Sequence, residues 1–190
     1  MANKNEDKII ATIYKDITKN TPKLGPDLAI LCGLPYAGKS TIAKELCEHN
    51  FVHIWITVIK KLHNLDDEHA LKIAVKLAVR LLCEHYRVTV DFLGHTDELR
   101  ALFSDIAIKK SVPYKVIFVD TPLSVIYERK RLSDMAESID IGRSNISIDV
   151  IDKIANELTL PSRDETVIIR PNDRVRFDTY LHRLKVGCLG

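Results

Sequence analysis

Gly33-Leu34-Pro35-Tyr36-Ala37-Gly38-Lys39-Ser40 places two glycines, a lysine and a hydroxyl in the spacing G-x-x-x-x-G-K-[ST]. The apolar run Leu28 to Cys32 leads into it, and Thr41 to Leu46 follows with helical patterning, so the motif sits in a strand–loop–helix context. The residue types suit phosphate chemistry. Gly33 and Gly38 allow backbone conformations that a Cβ would obstruct, so consecutive N–H groups can turn onto phosphate oxygens. The first turn of the following helix, from Lys39 through Thr41, adds unpaired N–H groups and a positive dipole end. Lys39 is a mobile cation for the β- and γ-phosphates, and the Ser40 hydroxyl is a ligand for Mg²⁺. This stretch predicts binding of a nucleoside triphosphate.

A phosphate loop alone does not separate kinases from GTPases, motors or transport ATPases. Asp91, at the end of the apolar Val88-Thr89-Val90, is placed to serve the metal opposite Ser40, with a turn cap as the simpler role. Glu128-Arg129-Lys130-Arg131 lies late in a helix before a polar stretch. Cations there can close over a triphosphate, Arg129 above all because a guanidinium fork fits phosphate oxygens; a solvated helix end is the plainer reading. The Asn-Lys-x-Asp motif that reads guanine in GTPases is missing. His49 and His53 are separated by a helix end and a strand start, against a shared metal. Trp55 reads as rim or core packing. Arg170, Arg174, Arg176, Arg183 and Lys185 read as a solvated face, with phosphate contacts to a polynucleotide as the lesser option.

The elements that must hold these residues alternate along the chain. An amphipathic helix over 6–19, with Ile9, Ile10, Ile13 and Ile17 on one face, precedes the first strand. Its expected role is packing against the domain, with a dimer contact as the alternative. Pro22, Gly25 and Pro26 then turn the chain. Strands are expected at Leu28–Cys32, Phe51–Ile56, Arg87–Phe92, Lys115–Asp120 and Thr166–Arg170. Helices are expected after the loop, from Glu68 to Tyr86, over 96–110, from Pro122 to about Ala136, from the Ser147 cap to near Leu158, and over 174–186. Asp120-Thr121 is expected to cap the fourth of these. The alternation implies a parallel sheet covered on both faces, an α/β fold.

Composition bounds the class. The 190 residues, 46% hydrophobic, suit one compact domain, and a net charge of +2 does not by itself call for nucleic acid or membrane. Cys32, Cys47, Cys83 and Cys188 form no C-x-x-C pair and read as reduced, mostly buried thiols. The N-terminus lacks a signal-peptide h-region and no apolar stretch spans a bilayer, so a soluble, cytoplasmic protein is expected. Domain boundaries are expected at 1–27 for a helical extension and 28–190 for the main domain, with a lid around 127–147.

Over roughly residues 28–170 the sequence resembles the small P-loop kinases of the adenylate-kinase-like group, of the zeta-toxin, chloramphenicol-phosphotransferase and polynucleotide-kinase type. The resemblance rests on Gly33 to Thr41, on Val88 to Asp91 followed by His95-Thr96-Asp97-Glu98-Leu99-Arg100, and on Val116 to Pro122. It continues with Glu128–Arg131 as the start of the lid, and with Ile148-Asp149-Val150-Ile151, Pro161 and Glu165. It implies a three-layer fold, with a five-stranded parallel sheet of order 2-3-1-4-5 and a small lid. It further implies ATP and Mg²⁺ as cofactors, with transfer of a γ-phosphoryl group to a hydroxyl of a small molecule or a nucleic-acid end. By that resemblance Lys39, Asp91, Arg129 and Arg131 carry the chemistry, Gly33 through Thr41 hold the nucleotide, and Ser40 and Asp91 hold the metal.

One position departs from the family pattern. Where an Asp after strand two would accept the proton of the attacking hydroxyl, this chain has Thr57. A threonine hydroxyl has no accessible pKa for that work, and loss of a positioned base costs about 10²–10⁴-fold in rate. Three accounts stay open: Asp91, Asp66 or Asp67 serves as base; the alignment is displaced by a residue; or the chain binds nucleotide without turnover. The alternatives to a kinase are accordingly a nucleotide-binding switch or scaffold, and a slow ATPase coupled to a partner. The identity of the acceptor and the oligomeric state are not written in the sequence.

Overall fold

A computed structural model describes residues 2–135, 146–162 and 166–186. The central part of the expected lid (136–145), Glu165 and Cys188 lie outside the described residues. The five strands are β1 (Asp27–Cys32), β2 (Phe51–Trp55), β3 (Arg87–Asp91), β4 (Tyr114–Val119) and β5 (Thr166–Ile169). They form one parallel sheet in the order β2-β3-β1-β4-β5, the topology that the resemblance implies. β1 is central: Ile30 stands in register with Val90 on one side and Val116 on the other. Leu28 to Cys32 are fully buried, as a strand covered on both faces requires.

The helices are α1 (Ala2–Thr18), α2 (Lys39–Cys47), α3 (Ile56–Leu62), α4 (Asp67–Cys83), α5 (Asp97–Lys109), α6 (Leu123–Met135), α7 (Ile148–Glu157) and α8 (Val175–Val186). One face of the sheet packs against α1, α4 and α5 through Ile10, Ile13, Leu77, Leu81 and Phe103. The other packs against α2, α6, α7 and α8 through Ala43, Leu46, Ile126, Ile151 and Phe177. The expected cap at Ser147 is present, accepting from the Val150 amide, and Asp66 caps α4 by accepting from the His69 amide. α1 takes the packing role. Its Glu6 pairs with Lys72 and Lys76, and the Arg80 guanidinium sits 3.6 Å from the Tyr14 ring centroid.

Three expectations change. α3 begins where β2 ends, so the second strand stops at Trp55 and a short helix carries Thr57. The β-branched run Ile56-Thr57-Val58-Ile59 disguises it, because such residues favour strands when read by propensity alone. Asp120 and Thr121 do not cap α6; they reach instead to Arg170 and to the phosphate loop. Of the described cysteines Cys32 is buried, whereas Cys47 and Cys83 are exposed, each next to a buried leucine of the same helix and turned away from the core. No described helix is long and apolar enough to cross a membrane.

Candidate functional site

The C-terminal ends of β1, β3 and β4 converge on the loop that leaves β1 at Gly33. Gly33 has φ 138°, and a Cβ there would stand 2.7 Å from the backbone oxygen of Val119, so no side chain fits. Gly38, at φ 111°, is the N-cap of α2 and lets the chain turn from loop into helix. Between them Tyr36 also adopts a left-handed conformation (φ 62°). The loop's carbonyls are braced by α6 and by the segment that joins β4 to it. Thr121 Oγ1 donates to the Ala37 oxygen at 2.8 Å, and Arg129 Nη1 donates to the same oxygen at 2.8 Å and to the Tyr36 oxygen at 3.0 Å.

Lys39 folds back over the loop, its Nζ donating to the oxygens of Gly33 (3.0 Å) and Leu34 (2.9 Å). Burial pushes its pKa down, while the negative charge of Asp91 acts in the opposite direction. An ammonium held by two neutral carbonyls in a desolvated place gains much from an arriving phosphate.

Asp91 is 3% exposed, and its Oδ2 accepts from Ser40 Oγ at 2.7 Å. These two oxygens suit a hard divalent cation such as Mg²⁺, which takes oxygen ligands and usually keeps waters and substrate phosphates in its shell. Among the described residues no three His, Cys, Asp or Glu side chains cluster as a metal cage. The donor set therefore fits a cation that arrives with a phosphate and does not fit a permanently caged one. His53 approaches Asp91 from β2, with Nε2 3.6 Å from Oδ2.

The loop opens into a cleft of about 1140 Å³. Pro35 through Thr41 line its floor, and Asp91 and Arg129 its walls. Gly33 and Leu34 lie behind the floor and contribute their carbonyls to Lys39. Beyond Asp91 the cleft continues past Trp55, Thr57, Lys60, Asp67 and Phe92, which gives it room for a second molecule beside a nucleotide. Arg131 is absent from this lining. It is exposed, with its guanidinium 3.7 Å from Met135 Sδ. Residues two apart on a helix point about 200° away from each other, so α6 cannot aim both Arg129 and Arg131 at the loop.

Of the carboxylates considered as bases, Asp91 and Asp67 line the cleft and Asp66 does not. Asp67 is paired with Lys60 at 2.6 Å, while Asp66 is occupied in capping α4. Two cations read as a solvated face also belong to the cleft wall. Arg170 Nε donates to Asp120 Oδ2 at 2.8 Å, and Arg174 grips Glu45 of α2 with both terminal nitrogens. Thr121 reads by sequence only as a helix cap, because nothing in an isolated Thr announces a partner as distant along the chain as Ala37, and Lys60 and Lys61 carry no motif that marks them as cleft residues.

The family profile described as the AAA domain matches residues 28–133. The chain belongs to that family. The match runs from β1 through Asp91 to Arg129, so it contains the loop, the candidate metal pair and the arginine that braces the loop. No curated protein matches the chain by sequence. Solved structures similar to this AAA domain chain include Chaetomium thermophilum Kti12 in complex with ADP-AlF3. That match has a TM-score of 0.64 and 18% identity, covering 86% of this chain and 100% of that one. Mycobacterium tuberculosis APS kinase CysC in complex with AMPPNP and APS gives 0.57 at 18% identity, covering 89% and 100%. A Sinorhizobium meliloti gluconokinase gives 0.53 at 14% identity, covering 88% and 94%. At these identities the likeness is one of fold, and it is the fold of P-loop small kinases that the sequence resemblance implies.

Proposed function

We propose that the chain binds ATP with Mg²⁺ on Gly33–Thr41 and transfers the γ-phosphoryl group to a hydroxyl of a small molecule or a nucleic-acid end. The observation that carries this reading is the Ser40–Asp91 contact of 2.7 Å, set between the phosphate loop and the further half of the cleft. Lys39 turns from the loop carbonyls to the β- and γ-phosphates. Ser40 and Asp91 hold the cation, which when bound offsets charge on the phosphates. Arg129, already docked on the loop, offers its remaining N–H groups to the transferring group. Asp91 or Asp67 receives the acceptor's proton, since Thr57 cannot. Structural neighbours crystallised with ADP-AlF3 and with AMPPNP support the nucleotide half of this reading.

The test is transfer of labelled γ-phosphate to a panel of metabolites, nucleosides and 5′-hydroxyl oligonucleotides, with Lys39→Ala as control. Labelled product that Lys39→Ala abolishes is expected; no product across the panel sinks the kinase reading. Thr57 favours one second reading, a nucleotide-binding switch or scaffold. That reading expects tight ATP binding with no turnover, and rapid turnover excludes it.

A further inference from the structure

Beneath the candidate metal pair lie two buried polar atoms, His53 Nε2 and Thr89 Oγ1, that have no hydrogen-bond partner among the described residues. Buried polar groups are almost always satisfied, so orphans beside a functional carboxylate call for a physical reason. The strand register supplies their placement. His53 pairs with Thr89, and Trp55 pairs with Asp91, so all four side chains share the face of the β2–β3 pair that looks toward the metal site. His53 Nε2 stands 3.6 Å from Asp91 Oδ2, just beyond hydrogen-bond distance. The ring is also held in plane: it stacks on the Trp55 indole with centroids 5.4 Å apart and planes 13° from parallel. A histidine kept in the core only to fill space would bond its Nε2 to a neighbouring carbonyl or hydroxyl. This one faces the carboxylate that already accepts from Ser40.

We propose that His53 is a positioning residue for Asp91, its Nε2–H closing onto the carboxylate when a Mg²⁺-nucleotide occupies the loop. A carboxylate oxygen has room for two donors, so His53 and Ser40 can share Oδ2 and turn the other oxygen, Oδ1, toward the cation or one of its waters. The gain is orientation. Partners that fix a metal-binding carboxylate typically change metal affinity about 10–100-fold when removed. Thr89 bounds the space under the imidazole and gives it a polar floor. Trp55, as a wall of the cleft and the only tryptophan of the chain, carries any movement of His53 to the acceptor side, where its fluorescence can be read.

The inference rests on the metal site of the proposed function but not on phosphoryl transfer, and its test measures binding. ADP affinity is determined by calorimetry in EDTA and in Mg²⁺ for the wild type, His53→Phe and His53→Gln, with Trp55 fluorescence recorded alongside. His53→Phe keeps a flat ring against Trp55 and removes the donor; His53→Gln restores a donor without the ring. The expected result is equal ADP affinity in EDTA for all three. The Mg²⁺-dependent gain then falls roughly 10-fold in His53→Phe and is largely recovered in His53→Gln. A wild-type-sized gain in His53→Phe overturns the proposal, as does an equal loss in both variants, which marks a merely structural role. A wild type with no Mg²⁺-dependent gain also overturns it. If His53→Phe does not fold, His53→Leu serves as the donor-free variant. A chain that binds Mg²⁺-ADP yet phosphorylates nothing leaves the proposal standing while removing the kinase reading.

Discussion

Arg129, on α6, donates to the Ala37 carbonyl oxygen of the phosphate loop at 2.8 Å, the same oxygen that Thr121 engages from the end of β4. A cation from the start of the expected lid is therefore seated on the loop itself. Its fixed fork leaves further N–H groups for an anion without a large movement.

This seating separates two arginines that the family resemblance places together in the chemistry. Arg129→Ala is expected to lower γ-phosphate transfer by roughly 10²–10³-fold, the usual effect of losing one preorganised donor to developing charge. Arg131→Ala, whose side chain faces Met135 outside the cleft, is expected to stay near wild type. Initial-rate measurements on the two variants decide the matter, and equal losses would return Arg131 to the site.

Lys39→Ala is expected to abolish transfer and weaken nucleotide binding while leaving the fold intact. The half-buried ammonium carries a desolvation cost, seen in its lowered pKa, which the charge of Asp91 and two backbone carbonyls only partly offset. Removing it therefore takes away a penalty along with two hydrogen bonds. Thermal unfolding without nucleotide should place the variant within a few degrees of wild type, about 1 kcal/mol on the usual scale. A collapse in melting temperature would show instead that Lys39 is a structural brace.

The positions of the strands and the phosphate loop were legible because they rest on local signals: apolar runs of strand length, glycines where a turn needs them, and a cap at Ser147. The strand order came only from the family resemblance. What escaped depends on neighbours distant in sequence. Thr121 reads as a helix cap until β4 is set beside the loop, where its hydroxyl finds the Ala37 carbonyl. Arg170 and Arg174 read as a solvated face until β5 places them opposite Asp120 and Glu45. His53 reads as an isolated strand histidine until register sets it diagonal to Asp91. α3 was missed for a different reason: a helix of β-branched residues contradicts its own propensity and is held by packing of Ile56 and Ile59.

Stability should depend on pH through Asp27, at the end of the sheet remote from the loop. Burial raises its pKa from 3.8 to about 6, and the opposing charge of Arg87 only partly offsets this. The folded value lies above the unfolded one. Its favourable contribution is therefore fully present below about pH 4 and is lost as pH rises through about 6. Asp27→Asn removes the ionisation and should stabilise the protein at pH 7. The upper bound is roughly 3 kcal/mol at about 1.4 kcal/mol per pKa unit, and the advantage should vanish toward pH 4. Urea unfolding of both proteins at pH 4 and pH 7 tests this; a constant difference across the two would show that Asp27 does not titrate in this window.

On the proposed kinase reading, the part of the cleft beyond Asp91 offers the sharpest functional test, because Thr57 stands there where the family pattern has a carboxylate. Thr57 lines the cleft from the first turn of α3, where an Asp would be stabilised by the free N–H groups and the positive end of the helix. Thr57→Asp is therefore expected to fold. If the chain transfers phosphate slowly for want of a base, the substitution should raise the rate on an accepted hydroxyl by about 10²-fold with little change in ATP affinity. If Asp91 or Asp67 already takes the proton, a second carboxylate nearby brings like-charge repulsion and the rate should stay level or fall. Steady-state rates with Asp67→Asn beside Thr57→Asp separate these cases. A loss in Asp67→Asn together with no gain in Thr57→Asp assigns the proton to Asp67, despite its pairing with Lys60.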